Sequence, residues 1–239
     1  MLQLTVIVIM RTLNKIAIYI FVIILVFFIA GMVFMKLNEE KIINLTIGKI
    51  NEKINTKIHT GKIHFSVFEQ FPFASLKLPN VIIKSSDKSF KEPLLKADVL
   101  YLNFILSDAI QGNLTLNEVS VVHGKLNINY NKQGISNFNI FNNKGPADSG
   151  IRILLDYLVL KNIVLSYTDA QVKQDFLFQI NKMALSGGFQ DDIFDAKLKG
   201  NFLTKHFILG KDNYISEKEI ELNTVLNVNT KNNKYRFTQ

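Results

Sequence analysis

Cysteine and tryptophan are both missing from the 239 residues. Without a thiol there is no disulfide, no thiolate metal site and no cysteine nucleophile. The absence does not fix the compartment, because exported proteins can fold without disulfides. Clustered positive charge is missing too. The formal net charge is +8, but the lysines are spread along the chain among many asparagines and isoleucines. No basic strip flanked by aromatic residues stands out, so no nucleic-acid partner is expected.

Catalytic patterns are equally scarce. His59, His64, His123 and His206 show neither the i,i+4 nor the H-x-E spacing of a metal site, and they read as strand or surface residues. Asp191, Asp192 and Asp195 read as a solvated turn. Gly187-Gly188 lacks the lysine and spacing of a phosphate-binding loop. There is no G-x-S-x-G elbow, and no S-x-x-K accompanied by its partner motifs. No catalytic residue, metal or cofactor is therefore expected, and the chain does not read as an enzyme.

What the chain does have begins with grease. Residues 16–35, IAIYIFVIILVFFIAGMVFM, carry no charge and no proline. Twenty apolar residues match a bilayer core of about 30 Å at a rise of 1.5 Å per residue. The fourteen Ile, Leu, Val and Phe residues among them favour insertion by roughly 4–8 kcal/mol. The stretch exceeds the usual apolar region of a cleaved signal peptide and no A-x-A pattern closes it, so it reads as an uncleaved anchor. Arg11 and Lys15 precede it while Lys36, Lys41 and Lys49 follow, so the charge count does not orient it. The short leading tail (1–15) and long trailing region favour the N-terminus in the cytoplasm. Met10 is an alternative start to Met1.

Asn38, Glu39 and Glu40 then form a helix-start signal, a capping side chain followed by acids at the positive end of the dipole. Ile43, Ile47, Ile50, Ile54 and Ile58 recur at spacings of four and three. The pattern predicts an amphipathic helix over 38–60, interrupted near Gly48. It packs on the domain behind it or lies on a membrane surface.

From residue 61 the alternation is that of strands, about ten of them to residue 239, with turn signals between. A turn is expected at 106–113 and a loop at 143–150. Almost no amphipathic helix remains to cover such a sheet, whose apolar face must close into a barrel, fold over, or line a groove. Three strands share one irregularity. Leu76, Leu78, Val81 and Ile83 lie on one beat with a spacing of three in the middle, as do Leu114, Leu116, Val119 and Val121, and Leu158, Leu160, Ile163 and Leu165. Successive side chains alternate faces, so a spacing of three reverses the face unless the backbone compensates. A one-residue bulge at Pro79-Asn80, Asn117-Glu118 and Lys161-Asn162 restores parity and bends the strand. Repeated at starts 38 and 44 residues apart, the bend predicts a curled sheet with one continuous apolar face.

These residues resemble the N-terminal region of AsmA-like proteins, grouped with TamB-type and other bridge-like lipid-transfer proteins. The likeness runs through FPFASLKLPNVII, then LNFILSDAIQGNLTLNEVSVVHGKLNINYNKQGISNFNIF (102–141) with Gly112, Gly134, Asn137 and Phe138. It continues through LVLKNIVLSYTD and INKMALSGGF. Each piece is made of common residues, and the specificity rests on their order. Family members run several times longer, so a chain ending at NKYRFTQ reads as an N-terminal portion. The resemblance implies a mainly β fold, with a transmembrane helix (16–35) and an amphipathic helix (38–60) ahead of a curled, repetitive, mostly antiparallel sheet. That sheet (61–239) would form a groove or an open, taco-like barrel. The resemblance also implies a single-pass inner-membrane protein whose β domain lies in the periplasm and binds or conducts lipid, phospholipid among them. Such a protein contributes to outer-membrane biogenesis and lipid homeostasis. The lining expected of such a groove is Leu100, Leu102, Phe104, Leu116, Val119, Val121, Leu158, Leu160, Ile163 and Leu165. The alternative is a non-catalytic scaffold that contacts periplasmic or outer-membrane proteins through its sheet edges.

Overall fold

The computed structural model describes residues 15–23, 25–26, 29–30, 33, 37, 39–66, 69–105, 108, 114–140, 151–188, 193–229, 232 and 234–238. The chain divides into two compact units, Met1–Ile42 and Ile43–Gln239. In the first, residues 15–23 are helical and Ile16, Ile18, Ile20 and Phe21 are exposed. No helix among the described residues is long and apolar enough to cross a membrane. The span expected at 16–35 includes positions 24, 27–28, 31–32 and 34–35, which lie outside the described residues. So do most of the expected turn at 106–113 and all of the loop at 143–150.

Helix α1 covers Glu39–Lys53, with both acids in its first turn, where they complement the exposed N–H groups. The helix is shorter than the 38–60 expected. It runs through Gly48 without interruption, and Asn38, its expected cap, lies outside the described residues. The last α-helical hydrogen bond runs from Ile54 N to the Ile50 carbonyl. The next amide, Asn55 N, donates instead to the Ile140 carbonyl at 2.8 Å. Asn55 and Thr56 are weak helix formers, and the chain bends away from the helix there. Ile58 therefore belongs to a strand, paired with Ile83. Along α1, Ile43, Ile47 and Ile50 are partly buried, while Thr46 and Ile54 are buried. That single stripe is the mark of a helix packed on its own domain.

Ten strands form one sheet: β1 (Ile58–His59), β2 (His64–Ser66), β3 (Phe73–Ile83), β4 (Leu95–Ile105), β5 (Leu114–Tyr130), β6 (Ile151–Asp169), β7 (Gln174–Ser186), β8 (Ile193–Leu209), β9 (Asp212–Asn229) and β10 (Lys234–Thr238). From β3 to β10 they lie in sequence order, while β1 and β2 share the outer edge of β3. Every pair is antiparallel except β5–β6, which is parallel. Two antiparallel meanders thus meet at one parallel seam. A parallel pair needs a connection of a dozen residues or more, and residues 131–150 supply it. The terminal strands pair with inner neighbours and not with each other, so the sheet is not closed into a barrel.

The irregular spacing has a physical origin different from the one its sequence predicts at two of its three positions. Asn117 is a true bulge. Asn103 faces Glu118 while Phe104 faces Leu116, which leaves Asn117 as the extra residue. Asn80 and Asn162 are not bulges, because the register continues unbroken through both. Each instead adopts a left-handed backbone, with φ of 52° and 54°. Asparagine enters this region more readily than most residues. The neighbouring strands skip at the same level, so among the pairs from β3 to β7 no strand holds a surplus residue there. Asn80 lies at the level of Asp98, Asp98 of His123 (φ 50°), His123 of Asn162, and Asn162 of Asn181. The result is a crease running straight across β3 to β7.

Candidate functional site

The crease determines which side chains share a face. On one side of it Leu78, Leu100, Val121, Leu160, Met183 and Gly200 pair in turn from β3 to β8. The next rank outward is Leu76, Leu102, Val119, Leu158, Leu185 and Leu198. Across the crease the rank is Val81, Ala97, Gly124, Ile163, Ile180 and Phe202, followed by Ile83, Leu95, Leu126, Leu165 and Phe178. Directly opposed residues on paired strands project to the same side. All ten expected lining residues therefore lie on one face of β4, β5 and β6, with Phe104 and Leu116 completing the patch.

Their exposure divides them. Phe104 (0 %), Ile163 (1 %), Leu100, Leu102, Leu116, Val121 and Leu160 are buried, while Val119, Leu158 and Leu165 are partly buried. Most of the patch is thus covered by the chain itself. The buried stripe of α1 and the buried part of this face belong to one compact unit. The C-terminal end of α1 is held in place by the Asn55–Ile140 hydrogen bond. The segment bearing Ile140 is pinned in turn to β5 by the fully buried Asn137. Its Nδ2 donates to the Asn127 carbonyl at 2.8 Å, and its Oδ1 accepts from Asn129 N at 2.9 Å.

Beyond β6 the same face changes character. A ladder of rings crosses it, unanticipated as a unit. Tyr130 meets Tyr167 at 6.4 Å, Tyr167 stacks on Phe176 at 5.2 Å, and Phe176 stacks on Phe207 at 4.0 Å and 1°. Phe178 packs edge-on against Phe202 at 5.2 Å. All of these rings remain partly exposed. Burial among the rings pushes the Tyr167 hydroxyl above its ordinary pKa, helped by the charge of Asp169 and by Tyr130. The sequence carries part of the signal as alternate aromatic residues, Phe176 and Phe178, on one strand. Phe202 and Phe207 on the next are five apart and share the face only because Lys205 is surplus between them. Only pairing reveals that they align.

The polar groups of the opposite face are structural in character. The Tyr101 hydroxyl donates to Glu69 Oε2 at 3.1 Å, and Lys77 Nζ lies 2.9 Å from the same oxygen. Burial raises the tyrosine's pKa and the hydrogen bond to Glu69 raises that of the lysine. Along the crease, His123 Nε2 lies 2.9 Å from Asn162 Nδ2, and its Nδ1 lies 4.0 Å from Asp98 Oδ2. His206 Nε2 lies 3.2 Å from Asp175 Oδ1. Asp195 accepts a 2.8 Å hydrogen bond from Asn227, whereas Asp191 and Asp192 lie outside the described residues. Among the described residues no three histidine or carboxylate groups converge as metal ligands. Comparison with protein-family models, with curated proteins and with solved structures returns no match. Function is therefore argued from the face itself.

Proposed function

We propose that this chain is a membrane-anchored lipid-binding protein of AsmA-like type, held by the apolar segment 16–35. Its sheet would lie in the periplasm and receive acyl chains on its apolar face. The observation carrying this reading is the continuity of that face. The ranks covered at β3–β5 continue across β6–β8, still buried at Leu160, Ile163, Ile180 and Met183 beside the crease and partly exposed at Leu158, Leu165, Leu185, Leu198 and the aromatic side chains. Each methylene buried there contributes about 0.8 kcal/mol without any catalytic group. The exposed apolar residues of the 15–23 helix support the anchor, because an apolar surface all round a helix requires lipid or protein about it.

Native mass spectrometry of the full chain released from membranes in mild detergent tests the reading. Phospholipid should co-purify at near one equivalent or more, and Phe176→Asp with Phe207→Asp should remove most of it while the fold remains. A parent protein free of lipid would overturn the proposal. The scaffold reading draws on one feature, the outer edge of β9. Only residues 225–229 are covered by β10, leaving 212–224 open among the described residues. That edge carries Glu217, Lys218, Glu219 and Glu221, charges of the kind that discourage strand addition. It is the weaker reading.

A further inference from the structure

A separate cleft of about 540 Å³ lies on the face opposite the apolar ranks, beside residues 84–93 that connect β3 to β4. Five lysines line it: Lys84, Lys88, Lys91, Lys96 and Lys125. They stand against two carboxylates, Asp87 and Glu92, and all five are exposed. Among the described residues none of the five makes an ion pair, although ion pairs form elsewhere at Lys77 and Lys205. Asp87 is engaged locally with Ser89, whose hydroxyl and then its amide (2.8 Å) hold the carboxyl below the ordinary range. Lys96 and Lys125 oppose each other directly across β4 and β5. Like charges in that arrangement repel, and among the described residues neither lysine makes an ion pair that would offset the repulsion. A second lobe of about 280 Å³, lined by His123 and Asp98, opens on the other side of the same two lysines.

We propose that this cleft binds a phosphate-bearing anion, with Lys96 and Lys125 as its central contacts and the Phe90 ring as an apolar wall. Ammonium groups are strongly hydrated point charges that serve phosphate without fixed geometry. A cleft of this size admits a ligand larger than a bare ion. The phosphate could be that of a free small molecule or of a lipid headgroup, since both present the same oxygens. The site lies on the other face from the lipid reading and does not depend on it.

Calorimetric titration of the full chain in non-ionic detergent tests the proposal. The probes are sodium pyrophosphate and, separately, dihexanoylphosphatidic acid below its micelle concentration. At least one should bind saturably, weaken as salt rises, and bind at least tenfold more weakly to the Lys96→Gln/Lys125→Gln variant. The Lys199→Gln control should bind as the parent does. Pyrophosphate binding assigns a free phosphate compound, and binding of the lipid alone assigns a headgroup. Without ligand, the double variant should melt at or above the parent temperature, because a repulsive pair has been removed. No saturable binding, undiminished binding in the double variant, or a lower ligand-free melting temperature would each overturn the assignment.

Discussion

The two halves of the sheet share one apolar face but treat it differently. From β3 to β5 that face is sealed, with Ala74, Leu76 and Phe104 at 0 % exposure. The opposite face there is closed as well, over Ser75, Asn103 and Ser120. From β6 to β9 the strands pair along their length, yet only the ranks beside the crease (Leu160, Ile163, Ile180, Met183) are buried, and the rings and outer aliphatic side chains stay half-open. The difference is therefore one of cover and not of strand geometry. A sheet continues as long as its hydrogen bonds do, whereas a core needs a second layer. In this chain helix is scarce beside sheet: α1 has fifteen residues and the sheet has ten strands.

The comparison can be broken most severely at its extremes. Phe104→Ala should cost about 3–5 kcal/mol in chemical denaturation, because a fully buried ring leaves a cavity. Phe207→Ala in lipid-free protein should cost less than half as much; equal losses would mean that the second half is sealed too. Next come the glycines on either side of the divide. A Cβ at Gly124 would strike the Lys96 carbonyl and sit 2.8 Å from Ala97 Cα. One at Gly200 would strike the Lys182 carbonyl and sit 2.7 Å from Met183 Cα. If strand geometry is the same in both halves, Gly124→Ala and Gly200→Ala should lower stability alike, by about 1–3 kcal/mol. The smallest effect is expected at the crease. Asn162→Val forces a β-branched residue into the left-handed region at a cost of about 1–2 kcal/mol, while Asn162→Gly should be tolerated. Thermal melts of the two variants would separate them.

Much of this was legible from residue order. The spacing of three correctly placed Leu76, Leu78, Val81 and Ile83 on one face, and the same rule put the seven chosen residues of β5 and β6 there, while plain alternation added Leu100, Leu102 and Phe104. What the spacing concealed was its cause. A bulge and a shared left-handed residue leave the same trace in a single strand, and only the partner's register tells them apart. The β4 member of the crease is written in the sequence as Ala97 followed by Leu100. It passes unnoticed because alanine is a weak apolar marker. The end of α1 was misplaced because Ile58 continues the helical beat by chance while serving a strand. The lysine cleft had no local signature, since its residues come from three segments that only folding brings together.

The crease has a further consequence when the sheet is viewed as a two-dimensional lattice. A row of kinks is a line defect, and such a line cannot simply stop inside an ordered lattice. It must reach an edge or be cancelled by a dislocation. On one side it ends in β3, at Asn80, next to the short edge strands. On the other it meets β8, where Gly200, Phe202 and Thr204 alternate without a skip. The mismatch is absorbed at Asn181, an extra residue on β7 between Ile180 and Lys182. A second line then opens where Lys205 is the surplus residue of β8, and passes to Glu217 (φ 50°) on β9, the two joined by a 2.9 Å ion pair. The fault is thus stepped sideways and not healed. Any strand spliced into this sheet would have to carry a fault at the matching level or bring a dislocation of its own.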